Sequence, residues 1–296
     1  MPPAAAFYRA IDDTGHLAPH IPVLYNMKRL EEEEEAGEAS PQTIHRRPTV
    51  THLGGIEVNE KYRVQMQDLA AGMIRPCGMG FVMGVRTATP ADFAPEQAAP
   101  RAEVLEACRE IDPIAPTPEE EAQGGMTQLR HLAVLDAASS TASLGFRIDA
   151  ARTVVNGEQA PLPFEEGTRM ERLRAEADVA GAIKMFLQGD GAVARAAAFK
   201  ADAMAAAWEK ATDFTERHVL LRTTLLLVYD DAHRENGCEL KMMNFGFSYR
   251  VEEGGVRHDA PWDGTEGCHE DGWLTGVRNL ARVLRAVEVS CAEAVQ

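Results

Sequence analysis

The 296-residue chain has no long hydrophobic run and no targeting segment at its start. A helix that crosses a bilayer needs about 20 consecutive apolar residues, and the most apolar stretch, residues 219–229, is shorter and contains Arg222. The opening residues, 1–7, lack both the basic part and the long apolar part of a secretory signal. These absences predict a protein without a membrane partner.

Cysteine is sparse and scattered. The five cysteines stand at positions 77, 108, 238, 268 and 291, and none forms a C-x-x-C pair. An odd, dispersed set favours free thiols in a reducing compartment over a disulfide framework. We therefore expect a cytoplasmic or nuclear protein.

Basic and aromatic residues are also few. Lysine and arginine number 30 against 46 acidic residues, which gives a formal charge of −16, and aromatic residues make up 6% of the chain. Such a surface repels nucleic acid at long range, so no nucleic-acid partner is expected. A polyphosphate ligand would need a local basic pocket. The 45% hydrophobic content is enough to bury one large core or two lobes around a cleft.

Signatures of several other chemistries are missing. The His, Cys, Asp and Glu side chains between residues 258 and 271 lack the C-x-x-C or H-E-x-x-H spacing of a zinc site. They favour a solvated loop that leads into an acidic helix N-terminus. The glycine pairs at 124–125 and 254–255 lack the strand and helix of a phosphate loop, and no G-x-S-x-G motif is present.

Local patterns divide the chain into helices, strands and linkers. Alanine-rich or amphipathic spacing predicts helices over residues 103–110, 190–216 and 270–289, and Thr117-Pro118 is typical of a helix start. The five glutamates at 31–35 and their flanks up to residue 55 predict a solvated loop, because like charges repel. Residues 62–69 alternate as a strand. Residues 219–229 predict a buried strand that pairs with residues 238–247 across the Asn236-Gly237 turn.

Five motifs follow one another along most of the chain. They are RPCGMGFVMGVRT at 75–87, SSTASLGFRI at 139–148, TTLLLVYD at 223–230, KMMNF at 241–245 and EDGWLTGVRNL at 270–280. They resemble, in order, the inositol polyphosphate kinase motifs P-x-x-x-D-x-K-x-G, S-S-T-x-x-L-G-F-R-I, S-S-L-L-F-V-Y-D, M-I-D-F and E-D-G-Y-x-x-G-x-x-N-L. One motif alone is weak, but five in the same order are specific. The chain is therefore identified as a member of that family.

The resemblance implies an α+β, two-lobe fold with antiparallel sheets. Residues 1–68 would form a reduced amino-terminal lobe that includes the acidic loop 31–55, and residues 69–296 would form the carboxy-terminal lobe. In the family, strands with a Gly-His element and a nucleotide-binding lysine precede an F-Y helix. Here the F-Y pair stands at residues 7–8, so we expect an amino-terminally shortened member.

Three site positions depart from the family's pattern. The signature aspartate and lysine, which serve nucleotide and inositol phosphate binding and the transfer step, are Gly80 and Val82 here. Gly80 offers no side-chain acceptor and Val82 no cation for phosphate oxygens. The magnesium-holding aspartate of M-I-D-F is Asn244, which keeps a carbonyl oxygen but loses the negative charge that magnesium prefers.

The resemblance also implies ATP and magnesium as cofactors and an inositol phosphate as substrate. The adenine hinge corresponds to Gln67, Asp68 and Leu69, which would contact the base through backbone groups. Four arginines are candidates for an anion pocket: Arg75, Arg86, Arg130 and Arg147. A surface charge or fold-level ion pair is the commoner role of an arginine.

Two functions stay open on these residues. One is an ATP-dependent inositol phosphate kinase of weak activity, and the other is a non-catalytic pseudokinase that binds or scaffolds. Removing one transition-state stabilising group commonly costs on the order of 10² to 10³ in rate, so the substitutions predict impaired catalysis. We expect Gly80, Val82 and Asn244 to converge on one cleft, with Cα atoms within about 15 Å of one another.

Overall fold

The structure is a computed structural model, and it describes residues 3–29, 56–58, 62–164, 169–253 and 255–293. The predicted acidic loop 31–55 lies outside these residues. The helices are α1 (Pro3–Asp12), α2 (Pro95–Ala98), α3 (Ala102–Ile111), α4 (Pro118–Gln123), α5 (Gln128–Ala137), α6 (Thr141–Leu144), α7 (Glu176–Phe186), α8 (Gly191–Lys210), α9 (Thr212–Thr215) and α10 (Trp273–Glu293). The strands are β1 (Leu24–Arg29), β2 (Ile56–Val58), β3 (Tyr62–Met66), β4 (Pro76–Met83), β5 (Phe146–Val155), β6 (Glu158–Pro161), β7 (His218–Val219), β8 (Thr224–Asp230), β9 (Cys238–Met243) and β10 (Tyr249–Arg250).

A five-stranded sheet in the order β6-β5-β4-β8-β9 forms the centre of the molecule, and every pair of neighbours in it is antiparallel. This arrangement confirms the α+β class with antiparallel sheets. The predicted pairing of the two apolar runs is also confirmed, since β8 lies beside β9 with Thr224 opposite Met243. All seven residues of β8 are buried, and five of them, Leu225 to Tyr229, form a continuous apolar run.

Two details of that strand pair differ from the sequence prediction. Residues 219–229 do not form one strand, because the backbone turns at Arg222, where φ is 52°. Val219 belongs instead to β7, which pairs with β10 in a separate two-stranded sheet. The connection from β8 to β9 contains a 3₁₀ turn, Arg234–Asn236, so Asn236-Gly237 ends a longer loop rather than forming a tight hairpin.

A smaller antiparallel sheet, in the order β1-β3-β2, precedes the central sheet. The predicted strand 62–69 ends at Met66. The chain then leaves the sheet after one further bond, in which the Gln67 N–H donates to the Val23 carbonyl at 2.7 Å. Residues 67–75 connect this small sheet to β4.

Helices α8 and α10 pack against one face of the central sheet and bury its apolar side chains. The predicted helix 190–216 is divided into α8 and α9, and Asp190 caps α8 by accepting from the Ala192 and Val193 N–H groups at 2.9 and 3.1 Å. The predicted helix 270–289 begins later, at Trp273. Gly276 permits its close approach to α6, because a Cβ there would lie 2.2 Å from the Gly145 carbonyl oxygen.

Residues 90–137, between β4 and β5, form a helical insert that contains α2 to α5. The insert has a small core of its own, made by Val104, Leu105, Cys108, Met126 and Val134. The predicted helix start at Thr117 is confirmed as a reciprocal capping box with Glu120, with bonds of 3.2 and 2.8 Å. Among the described residues, no helix combines the length and hydrophobicity that a membrane crossing requires.

Candidate functional site

The two faces of β4 carry different side chains. Cys77, Met79, Phe81 and Met83 alternate into the main hydrophobic core. The residues between them, Gly78, Gly80 and Val82, therefore lie on the opposite face of the sheet. We call this second face the site face, because both degenerate signature positions are on it.

Val82 and Asn244 lie along one row of paired residues that crosses the sheet. Val82 pairs with Arg147 of β5 on one side and with Thr224 of β8 on the other, and Thr224 pairs with Met243 of β9. Asn244 follows Met243, and its Nδ2 donates to the Thr224 Oγ1 at 2.7 Å. Adjacent strands lie about 5 Å apart, so Val82 and Asn244 sit on either side of Thr224 and are separated by roughly two strand spacings.

The next row on the site face is apolar around the missing aspartate. Gly80 lies between Ala150 of β5 and Leu226 of β8. Leu226 and Val228 form a buried cluster with Leu69, and Met73, Ala150 and Met243 pack against it. The surface around the predicted signature position Gly80 is thus an aliphatic layer.

Asn244, the predicted metal position, has a strained backbone conformation. Its φ is 65°, a left-handed value that asparagine tolerates better than most residues. Its buried Oδ1 accepts no hydrogen bond from any described residue. Magnesium in phosphate sites is usually held by one or two carboxylates, and the described part of the chain contains no group of three His, Cys, Asp or Glu side chains that could hold a metal. One neutral carbonyl oxygen does not fit such a site.

The predicted hinge forms a turn next to the apolar layer. The Gln67 N–H is already used by the Val23 carbonyl, and the Gln67 Oε1 accepts from the Val23 N–H at 3.4 Å. Asp68 accepts from the Ala70 N–H at 2.9 Å through its carboxylate. Leu69 is buried against the site face. The Gln67 N–H would have to leave Val23 before it could contact a base.

Three of the four candidate arginines bind elsewhere in the protein. Arg75 forms a half-exposed ion pair with Asp231 at 3.3 Å. Arg86 is wholly buried, and its guanidinium donates to the Ala88 and Cys268 carbonyls at 2.8 and 2.6 Å. Arg130 donates to the Ala115 carbonyl at 3.0 Å within the helical insert. These contacts are structural.

Arg147 is the candidate arginine that lies on the site face. It stands directly opposite Val82 on β5 and is 8% exposed. Its Nη1 donates to the Thr141 Oγ1 at 3.3 Å, so the guanidinium points toward the start of α6. Arg147 therefore places a cation beside Val82, the predicted lysine position.

Sequence reasoning missed two charged residues near Arg147. Asp136, at the end of α5, accepts a 2.7 Å hydrogen bond from the Thr87 Oγ1 through Oδ2, whereas its buried Oδ1 has no partner among the described residues. Arg222 donates to the Thr87 carbonyl at 2.7 Å and lies 3.5 Å from Asp92. Arg222 stands immediately before the motif at 223–230, and Asp136 stands three residues before the motif at 139–148. That proximity was the available signal in the sequence.

Burial raises the pKa of Asp136 to about 6. The Thr87 hydrogen bond and the positive charges of Arg147 and Arg222 act in the opposite direction but do not compensate for the lost hydration. A carboxylate with this pKa titrates within the physiological range, which is typical of functional sites.

The 258–271 region forms a different kind of polar cluster. Asp271 accepts from the Leu220 and Trp273 N–H groups at 2.7 and 2.9 Å and from the His258 Nδ1 at 2.9 Å. The His258 Nε2 donates to the Thr215 carbonyl at 2.9 Å. Because both ring nitrogens face acceptors, this position suits the protonated imidazolium. Burial acts to lower the pKa of His258, but the charge and hydrogen bonds of Asp271 outweigh it and raise the pKa.

Known proteins resemble the chain in both sequence and fold. It is 30% identical to inositol-trisphosphate 3-kinase B of Homo sapiens over 246 residues, which are 80% of this chain and 24% of that protein. It is 30% identical to inositol-trisphosphate 3-kinase A of Mus musculus over 237 residues, 79% of this chain and 49% of that one. The chain thus spans about half or less of the length of these curated relatives.

A solved structure of an inositol phosphate multikinase from S. cerevisiae, in complex with ADP and Mn²⁺, has a similar fold. The TM-score is 0.54, with 97% of this chain and 96% of that chain covered at 13% identity. A family model described as inositol polyphosphate kinase matches residues 63–285. Because this match covers most of the chain, the protein belongs to the inositol polyphosphate kinase family.

Proposed function

We propose that this protein is a member of the family in which phosphoryl transfer from ATP to an inositol phosphate is severely impaired. The observation that carries the proposal is the apolar layer on the site face. Gly80 and Val82 contribute no charge there, and Leu226, Val228 and Leu69 bury the surface around them.

Phosphoryl transfer depends mostly on positioning and on neutralising the charge of the phosphates. Each lost stabilising group commonly costs on the order of 10² to 10³ in rate. The losses at Gly80, Val82 and Asn244 do not simply multiply, because such groups act as a unit. ATP and a divalent ion are implied by the family and by the ADP and Mn²⁺ of the multikinase structure. The single Asn244 oxygen supports weak metal binding at most.

The charge of the helical insert supports the same proposal. Residues 90–137 contain ten acidic side chains against three arginines and no lysine, a net charge of −7. Like charge lowers the local concentration of an anionic ligand and slows its approach.

Restoring the family residues tests the assignment of the site. The triple variant Gly80→Asp, Val82→Lys, Asn244→Asp should gain stabilisation by magnesium-ATP in a thermal melt, whereas the unmodified protein should show little shift. A ligand at 100 times its Kd adds about 2.7 kcal/mol of stability, so real binding is visible. The matched control places the aspartate at Gly78 instead of Gly80, on the same face of β4, and should show no gain. Equal shifts for both variants would contradict the assignment.

A second candidate is a non-catalytic protein that binds an inositol phosphate. The observation that favours it is the survival of Arg147 on the site face, with Arg222 close by. Equilibrium binding of a labelled inositol trisphosphate without ATP tests it directly.

The five cysteines are free, and Cys268 is the one that is not buried, which supports a reducing cytoplasmic or nuclear location.

A further inference from the structure

Asp136 is a half-buried acid with an unused acceptor. Its Oδ2 is held by the Thr87 hydroxyl at 2.7 Å, but within the described residues its Oδ1 is shielded from solvent and accepts no hydrogen bond. Buried polar atoms without a partner are uncommon in native proteins, and a charged one is costlier than a neutral one. The fold therefore keeps a carboxylate oxygen in a place where structure alone does not use it.

The position of Asp136 connects it to the site face. Asp136 lies in the last turn of α5, Ser139 stands in the turn that follows, and Thr141 begins α6. The Thr141 hydroxyl accepts from the Arg147 guanidinium at 3.3 Å, and Arg147 is the strand neighbour of Val82. The turn between α5 and α6 thus places Asp136 near Arg147, at the end of the row that contains Val82.

The surroundings of Asp136 combine one acid with two bases. Arg147 on β5 and Arg222 before β8 lie close enough for their charges to act on Asp136, and the Thr87 hydroxyl donates to it from the segment after β4. Phosphate groups are attracted to the arginines, whereas a carboxylate repels them. A carboxylate oxygen accepts hydrogen bonds, and a neutral hydroxyl donates them. The arrangement suits a ligand that presents a phosphate and a free hydroxyl close together.

We propose that Asp136 is a ligand-binding residue that accepts a hydrogen bond from a free hydroxyl of an inositol phosphate bound at the Arg147 end of the site face. The inference rests on the second proposed function, binding of an inositol phosphate, and is independent of turnover. It assigns to Asp136 the recognition of the unphosphorylated hydroxyl, and to the neighbouring arginines the attraction of the phosphates.

Two ligands of equal charge test this proposal in the unmodified protein. One is an inositol trisphosphate, and the other is the cyclohexane trisphosphate with the same phosphate pattern and no free hydroxyls. We expect the hydroxylated ligand to bind about tenfold more tightly or better at pH 7.5, because a hydrogen bond to a charged group contributes that much. Isothermal titration calorimetry measures both affinities. Equal affinities, or no binding of either ligand at millimolar concentration, would overturn the proposal.

The isosteric variant Asp136→Asn then assigns the discrimination to one residue. Because an amide oxygen is a weaker acceptor than a carboxylate, it should reduce the ratio of the two affinities by about threefold or more at pH 7.5, chiefly by weakening the hydroxylated ligand. In the unmodified protein the ratio should fall between pH 7.5 and pH 5, as Asp136 gains a proton, and in the variant it should stay flat.

The control is Glu103→Gln, which removes one charge from an exposed side chain of the same helical insert. It should leave the ratio unchanged. A purely structural role for Asp136 would weaken both ligands by the same factor in Asp136→Asn and preserve the ratio, and that result would refute the assignment. Impaired turnover in the unmodified protein would stand in either case, so the two proposals fail separately.

Discussion

The molecule contains two buried polar clusters that differ in how completely their groups are paired. In the Asp271 cluster every carboxylate oxygen accepts a hydrogen bond, and both nitrogens of His258 donate one. At the site face, Asp136 and Asn244 each keep a buried side-chain oxygen that has no partner in the described part of the chain.

We interpret the fully paired cluster as structural and the incompletely paired cluster as functional. A fully paired buried cluster fixes elements relative to one another, and here it joins the start of α10 to the segments around β7. An incompletely paired cluster lowers stability, and proteins commonly retain such defects where a ligand binds. Mutations in the two clusters should therefore change stability in opposite directions.

The largest effect is expected at Asp271. Asp271→Ala removes the acceptor for two backbone N–H groups and for His258, and breaking a buried pair in this way costs about 3 to 5 kcal/mol. Urea unfolding measures the loss. Asp259→Ala, at an exposed carboxylate in the same loop, is the control and should change stability by no more than about 0.5 kcal/mol. Similar losses in both variants would remove the distinction.

His258→Gln should cost about 1.5 to 3 kcal/mol at pH 6, because a charge-assisted hydrogen bond is lost. The pKa of His258 is raised in the folded protein. Its stabilising contribution is therefore fully present below the ordinary histidine pKa, near 6.5, and is lost as the pH rises through the folded value. The difference between the two proteins in unfolding free energy should shrink with rising pH. A difference that grows with pH would contradict the pairing with Asp271.

Asp136→Asn should stabilise the protein at high pH. The raised pKa of Asp136, about 6, means that its contribution to stability is present below about pH 4 and lost as the pH rises through 6. The variant avoids a buried charge and should be more stable than the unmodified protein by about 1 to 3 kcal/mol at pH 8. Below pH 4 the two proteins should converge. If the variant were less stable at pH 8, Asp136 would stabilise the fold as the fully paired Asp271 cluster does.

The smallest effect is a coupling between Val82 and Asn244. Val82→Lys places a cation beside Thr224, and Asn244→Asp places an anion on the other side of it. A double-mutant cycle should give a favourable coupling of roughly 0.5 to 1 kcal/mol. The matched cycle uses the exposed Asn236→Asp in place of Asn244→Asp and should give no coupling. Equal coupling in both cycles would mean that Val82 and Asn244 do not lie on either side of Thr224.

The sequence predicted β8 and β9, two neighbouring strands of the central sheet, because both are rich in apolar residues. It did not predict β4 as a strand, because Gly78 and Gly80 weaken the strand pattern. The β8–β9 pairing followed from two apolar runs separated by a turn. The break at Arg222 was not predicted, because a left-handed arginine leaves no mark in hydrophobic periodicity.

The site was predictable only where it overlaps the motifs. Gly80, Val82 and Asn244 were found by comparison with the family's pattern, and their roles remain predictions. Asp136 meets Thr87 across 49 residues of sequence, and that contact depends on how the helical insert packs on the sheet. No local pattern reports such a distant contact.

Turnover is the measurement that tests the account most directly. The unmodified protein should be incubated with ATP, magnesium and a panel of inositol phosphates, with product separated from labelled substrate. We expect no inositol phosphate-dependent transfer above the rate without protein, since Gly80 and Val82 contribute no charge to the site face. Robust transfer by the unmodified protein, abolished by a change at Arg147 or Asn244, would contradict it.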